Sequence, residues 1–380
     1  MMRPMKLAGS QLMFGEGCLE FLKTLTTKKA MIVTGGNSMK RSGMLNKVSG
    51  YLQEAGAQVD VFDGVEPDPS LDTVLRGAAQ MQQFEPDLIV ALGGGSAMDA
   101  AKMMWVYYEH PEYTTLEEVL AASPFPKLRK KALFACIPST SGTASEVSRS
   151  VVITDKDRKH GIGNMEMMPD IAICDPEVTA SMPPHITAET GMDAMTHALE
   201  ALVSNRANYV SDVLAIKAAE DINTYLPKAC ENGADMKARE IMLNASMIAG
   251  MAFTNVSLGI VHSMAHTVGS LFHVAHGLAD AIILPYIIDF NSANPEAKAK
   301  YDDMAKKLGE TDMADAVRNL NAKVGVAKTL GEKIADENAY MEKLDEMTAM
   351  ALADGCTKTN PVIPTPEEMK ALFVKVYRGA

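Results

Sequence analysis

The first half of the chain alternates short apolar, β-rich runs with amphipathic stretches. Ala30-Met31-Ile32-Val33-Thr34, Val59 to Phe62 and Leu88-Ile89-Val90-Ala91-Leu92 read as strands, with Leu133 to Ile137, Val151 to Thr154 and Ile171 to Cys174 as further candidates. Leu45 to Ala55 and Asp72 to Gln83, lying between strands, carry apolar positions at helical spacing. That alternation is the rhythm of βαβ units, which require a parallel sheet. After Met182-Pro183-Pro184 the texture changes to long Ala- and Met-rich segments without strand alternation. Helices are predicted there at Ala188 to Val203, Ser211 to Leu226, Ala238 to Phe253, Leu258 to Phe272 and Gly277 to Phe290. The expected architecture is an α/β domain over residues 1–183 followed by an all-α domain over 184–380.

At 380 residues and 47% hydrophobic composition, the chain can bury the cores of two such domains. Its formal net charge of -12 argues against a nucleic-acid or anionic-membrane partner, which would meet a repelling field. Five cysteines are scattered without CxxC spacing, which fits reduced thiols and a cytoplasmic location. The N-terminal stretch has no sustained apolar core, and no segment approaches the length of apolar sequence that spans a bilayer. The 28 methionines read mostly as gap-filling core residues of helices rather than as ligands.

Two loops carry candidate binding chemistry. The third strand runs into Gly93-Gly94-Gly95-Ser96-Ala97-Met98-Asp99-Ala100-Ala101-Lys102, a strand, bare turn and helix start. Unpaired N–H groups and the positive end of a helix dipole attract phosphate, and glycine lets it approach closely. The spacing is neither GxGxxG nor a Walker loop. A second, hydroxyl-rich loop, Pro138-Ser139-Thr140-Ser141-Gly142-Thr143, follows strand Leu133 to Ile137, at the carboxyl end where α/β sheets bind ligands. Together the loops favour a dinucleotide and a Rossmann-like first domain.

The helical half holds a different constellation. Asp193 and His197 are four positions apart and share a helix face, as do His262 and His266. His276 stands beside Gly277 at the start of the next predicted helix, so that four of the eight histidines fall within His262 to His276. An isolated histidine is more often a packed core or surface residue than a ligand. Several imidazoles with a carboxylate suit iron(II) or zinc, leaving a coordination position for substrate. The phrase HSMAH is not a zincin motif, because Ser263 stands where a general-base glutamate would be required.

With these residues in hand, the chain resembles the iron-containing, or group III, metal-dependent alcohol dehydrogenases. The matching phrases, in order, are GGGSAMDAAK, PSTSGTASEVS, VITD, MPP, TGMDAMTHALE, HSMAH and HVAHG. The resemblance implies a dinucleotide-binding α/β domain, an all-helical metal-binding domain and an active site in the cleft between them. It implies metal ligands at Asp193, His197, His262 and His276, and an additional active-site histidine, the candidate proton relay, at His266. Cofactor positions fall on Gly94, Gly95, Ser96, Asp99, Ser139, Thr140, Thr143 and Lys159, and substrate-pocket positions on Ser150, Phe253 and Cys356. At Gly35, Gly36 and Asn37, after the first strand, the acidic residue often found in NAD-preferring members is missing, which admits NADP(H) as well as NAD(H).

The implied reaction is hydride transfer between NAD(P)(H) and a small alcohol or aldehyde, with Fe2+ or Zn2+ polarising the substrate oxygen. Arg149, next to Ser150, suggests a variant in which a carboxylate or sulfonate on the aldehyde is clamped, as in a semialdehyde or sulfoacetaldehyde. Two rival classes are a dehydroquinate-synthase-like lyase, which would need more cations around a phosphorylated substrate, and a non-catalytic nucleotide-binding scaffold, which leaves the ligand set unexplained. A homodimer or larger assembly is expected, with an edge strand near Leu12-Met13-Phe14 available to pair.

Overall fold

The structure, a computed structural model, describes residues 4–156 and 158–379. It divides into two compact units between Met182 and Pro183. The two prolines explain the break: Pro183 is extended, and Pro184 opens the next helix at a position where a missing N–H costs nothing.

The strands of the first unit are β1 (Gln11–Phe14), β2 (Lys29–Gly35), β3 (Gln58–Val65), β4 (Leu88–Gly93), β5 (Leu133–Pro138), β6 (Ser150–Asp155), β7 (Arg158–Gly163) and β8 (Ile171–Cys174). Among the described residues, six of them form one sheet in the order β1-β8-β5-β4-β2-β3, with every neighbouring pair parallel. Helices α1 (Ser38–Arg41), α2 (Met44–Glu54), α3 (Leu71–Phe84), α4 (Gly95–Glu109) and α5 (Leu116–Ala121) connect them. Leu45, Val48 and Leu52 of α2 pack one face of the sheet with Ile32, Val90 and Ile137. Met81 of α3 and Met98, Met103 and Trp105 of α4 pack the other, with Met31, Ile89 and Phe134.

One strand lies elsewhere than the sequence suggests. Val151 to Thr154 is not part of the parallel sheet but of β6, which pairs antiparallel with β7 in a separate ribbon. The burial patterns give the reason. All six residues of β4 are buried, as a strand covered on both faces demands, whereas in β6 only Val151 and Ile153 are fully buried, the period of a ribbon covered on one face.

The second unit is helical: α6 (Pro184–Val203), α7 (Tyr209–Glu231), α8 (Met236–Val256), α9 (Ile260–Phe272), α10 (His276–Asn291), α11 (Pro295–Lys307), α12 (Met313–Lys323), α13 (Glu337–Glu342), α14 (Leu344–Ala353) and α15 (Pro366–Arg378). α6 is buried along most of its length and packs against α7, α8 and α10, while α9 packs against α10 and α14. This brings the polar residues of α6, α9 and α10 together inside one unit. Among the described residues, no single helix is long and apolar enough to cross a bilayer.

Candidate active site

In the first unit, β4 delivers Gly94 as the cap of α4, with no side chain capping the helix. The hydroxyl loop is tied beside it by Ser139 N–H, which donates to Gly93 O at 2.9 Å. A Cβ on Gly94 would stand 3.3 Å from Thr140 Cγ2, and one on Gly95 2.8 Å from Thr143 Cγ2. Gly94, Gly95, Thr140 and Thr143 thus face one another across space that only missing side chains keep open, with Ser139 in the loop after β5 and Ser96 in the first turn of α4. The buried hydroxyls of Thr140 and Ser141 have no hydrogen-bond partner, as expected of groups aimed at a ligand.

Asp99 is used differently from its expected cofactor contact. It accepts from Ser145 Oγ at 3.0 Å and from Val152 N–H at 2.8 Å, and burial pushes its carboxyl up to about 6. Beside it, fully buried Lys102 donates to the carbonyls of Ser145, Ser148 and Ser150 at 2.8, 2.9 and 3.2 Å. These two side chains fasten α4 to the segment feeding β6. Lys102, the last residue of the glycine-rich phrase, was not singled out by the sequence; its spacing of three from Asp99 on a helix was the available signal.

At the end of β2, a Cβ on Gly35 would meet Val65 O at 2.5 Å, so no side chain fits there. Gly36 has φ 57°, and Asn37 leads into α1, whose Lys40 pairs with Asp63. Lys159 pairs with Asp68 at 2.8 Å. Ser150 and Arg149 are half-buried, and Arg149 Nε lies 3.9 Å from where a Gly163 Cβ would be, which puts it beside the end of β7.

In the second unit, α6 supplies Asp193 and His197, α9 supplies His262 and His266, and α10 begins at His276. The Nε2 atoms of His197, His262 and His276 stand 3.4, 3.7 and 3.9 Å from Asp193 Oδ1. Glu200 accepts from His262 Nδ1–H at 2.6 Å, fixing the tautomer that points Nε2 inward. Phe253 stacks on His197 with ring centroids 4.4 Å apart. His266 stacks on His276 at 5.2 Å, and its Nδ1 lies 2.9 Å from Asp354 Oδ2. Asp354 Oδ1 in turn accepts from the N–H of Cys356, whose thiol burial pushes well above its ordinary range.

A residue outside the predicted set joins this cluster. Asp280, one turn along α10 from His276, places Oδ2 3.1 Å from His276 Nε2 and 3.8 Å from His262 Nε2. One ligand atom each from Asp193, His262, His276 and Asp280 lie within 4.8 Å of one another; the predicted ligand His197 is outside that group and joins it through its 3.4 Å approach to Asp193 Oδ1. Burial pushes the Asp280 carboxyl well above its ordinary range, with Asp193 and Glu200 adding to the effect against His262. Asp193 Oδ1, His262 Nε2 and both Asp280 oxygens are buried without a hydrogen-bond partner. Buried polar atoms left so, on ligand-type side chains that converge, fit a divalent cation.

A dinucleotide-type α/β unit and a helical unit with an imidazole and carboxylate cage together define a class of two-unit metal-dependent oxidoreductases. The chain belongs to the iron-containing alcohol dehydrogenase family: residues 9–176 match its iron-containing alcohol dehydrogenase model, and residues 187–377 match the model of the family's C-terminal part. It is 47% identical over 377 residues to an NADPH-dependent butanol dehydrogenase of Clostridium saccharobutylicum, covering 96% of each chain. It is 39% identical to an aldehyde-alcohol dehydrogenase of Streptococcus pneumoniae, of which it spans 46%. The iron-containing alcohol dehydrogenase of Thermococcus thioreducens superposes with TM-score 0.93 at 35% identity, covering 99% of this chain and 100% of that one. The chain is therefore an oxidoreductase acting on alcohols and aldehydes, and neither the lyase nor the scaffold reading is favoured.

Proposed function

We propose that the chain interconverts short linear alcohols and their aldehydes in the cytoplasm, preferring NADP(H), with iron(II) or zinc held by Asp193, His197, His262 and His276. The observation that carries the metal reading is the convergence of three Nε2 atoms on Asp193 Oδ1, at 3.4 to 3.9 Å, in a buried cage. A divalent ion held there would supply Lewis acidity toward the substrate oxygen, and a nicotinamide dinucleotide bound at the glycine turn and hydroxyl loop would supply the hydride chemistry. The protein's own groups orient and move protons. Glu200 holds the His262 ring, Phe253 backs the His197 ring, and His266, oriented by Asp354, carries a proton to or from the reacting oxygen. Gly94, Gly95, Ser96, Ser139, Thr140 and Thr143 would cradle the pyrophosphate.

The cofactor preference rests on Gly35, Gly36 and Asn37, which place no carboxylate directly after β2 to repel a 2′-phosphate, and on Arg41 in α1, beside Lys40, which is itself paired with Asp63. The relative named as an NADPH-dependent butanol dehydrogenase supports both halves of the reading. Two copies would pair through β1, whose outer edge has no strand neighbour among the described residues.

The test is kcat/KM for a series of linear aldehydes with NADPH and with NADH. The expected result is turnover with both and an NADPH advantage of about tenfold or more, the worth of one charge-assisted contact. Turnover only with NADH would overturn the cofactor preference, and no turnover of any linear aldehyde would overturn the substrate class.

A further inference from the structure

We propose that Asp280 is a fifth, carboxylate ligand of the divalent ion, so that the ion sits among two carboxylates and three imidazoles. This rests on the metal reading of Asp193, His197, His262 and His276 and adds a residue to it.

The case begins with what surrounds Asp280. Its side chain has 0% exposure, and its helical neighbours Ala279, Ala281, Ile282 and Ile283 are buried and apolar. A carboxylate in such a setting costs several kcal/mol unless something compensates it. Neither oxygen has a hydrogen-bond partner. Among the described residues, no lysine or arginine is paired with it; the nitrogens within ion-pair distance are the rings of His262 and His276.

The carboxylate also approaches the particular nitrogens that face the ion. A carboxylate that merely supports a ligand histidine takes the ring nitrogen turned away from the metal, and for His262 that place is filled by Glu200 on Nδ1. Asp280 instead lies near the Nε2 atoms of His262 and His276, the same two that Asp193 Oδ1 approaches at 3.7 and 3.9 Å. Two atoms each about 2.1 Å from one ion, at tetrahedral or octahedral angles, stand roughly 3.0–3.4 Å apart. Asp280 Oδ2 stands inside that range from His276 Nε2, at 3.1 Å, and is 3.8 Å from His262 Nε2, as wide as the 3.7 and 3.9 Å that separate Asp193 Oδ1 from the same two nitrogens.

Two carboxylates neutralise a divalent ion, and five protein ligands exceed the tetrahedral set that zinc favours. The site is therefore biased toward ions that accept more oxygen ligands, iron(II) and manganese(II), over zinc.

The experiment uses the whole chain, stripped of metal and titrated with Mn2+, Zn2+ and, anaerobically, Fe2+, with a chelating indicator reporting affinity. Co2+ serves as a spectroscopic probe, because its visible bands strengthen as coordination number falls. Asp280→Asn, nearly isosteric, is expected to weaken Fe2+ and Mn2+ binding by about tenfold or more, to weaken Zn2+ less, and to intensify the Co2+ bands. Asp193→Ala is the control expected to lose all these ions. Wild type that binds none of them overturns the metal reading itself. Wild type that binds, beside a folded Asp280→Asn with unchanged affinities and Co2+ spectrum, overturns only the role of Asp280. If Asp280→Asn does not fold, the wild-type Co2+ spectrum decides: intense four-coordinate bands contradict a fifth ligand.

Discussion

A valine at Gly94 would bring its Cβ to 3.3 Å from Thr140 Cγ2 and push two methyl groups into the gap between the glycine turn and the hydroxyl loop. The backbone of Gly94 is extended, so no left-handed strain is involved and the fold can survive. Gly94→Val is expected to weaken dinucleotide binding by at least about tenfold while metal content is unchanged, because the pyrophosphate's approach is filled. Fluorescence titration with the reduced dinucleotide checks this, and an unchanged dissociation constant in a folded variant makes the turn purely structural. At this scale the sequence disclosed much of the candidate metal cage, because a spacing of four on a helix is simple arithmetic. Asp280 escaped for a related reason. The helix was expected to begin at Gly277, which left His276 outside it, whereas α10 begins at His276 and makes His276 and Asp280 a pair of the same spacing as Asp193 and His197. Glu200 and Asp354 were hidden because their partners are 62 and 88 residues away along the chain.

Helix α3 is capped by Ser70, and Glu66 gathers the cap: its carboxylate accepts from Ser70 N–H and Oγ at 2.9 and 2.6 Å and from Thr73 Oγ1 at 2.7 Å. Partial burial opposes ionisation of Glu66, but these donors outweigh it and hold the carboxyl down at about 2, against an ordinary 4.5. A lowered folded value means the unfolded chain takes up the proton first as pH falls. The contribution is therefore whole above about pH 4.5 and is lost between there and about pH 2. Denaturant unfolding across that window should show Glu66→Gln less stable than wild type at neutral pH by about 1–2 kcal/mol after solvent screening, with the gap closing in acid. A constant gap, or none, contradicts the cap. Elements of this size were legible where periodicity was strong. Leu71–Phe84 and Leu88–Gly93 extend their predicted cores by a residue or so, but β7 was invisible because Arg158–Gly163 buries only Ile162.

Across the whole molecule, the change of texture at Met182-Pro183-Pro184 is a physical boundary, because each side forms its own core: a parallel sheet wrapped by helices before it, packed helices after it. The first unit carries the glycine turn and hydroxyl loop, the second the metal-type cage, and both belong to one family over nearly the full chain. The central claim is that alcohol and aldehyde turnover requires a divalent ion at that cage. The most direct measurement is the rate of NADPH oxidation by a linear aldehyde as metal-stripped protein is titrated with Fe2+ under anaerobic conditions, with bound metal counted in each sample. The rate is expected to rise in proportion to occupancy and to level off at one ion per chain, with Asp193→Ala flat throughout. Full turnover in samples shown to hold no metal would contradict the account.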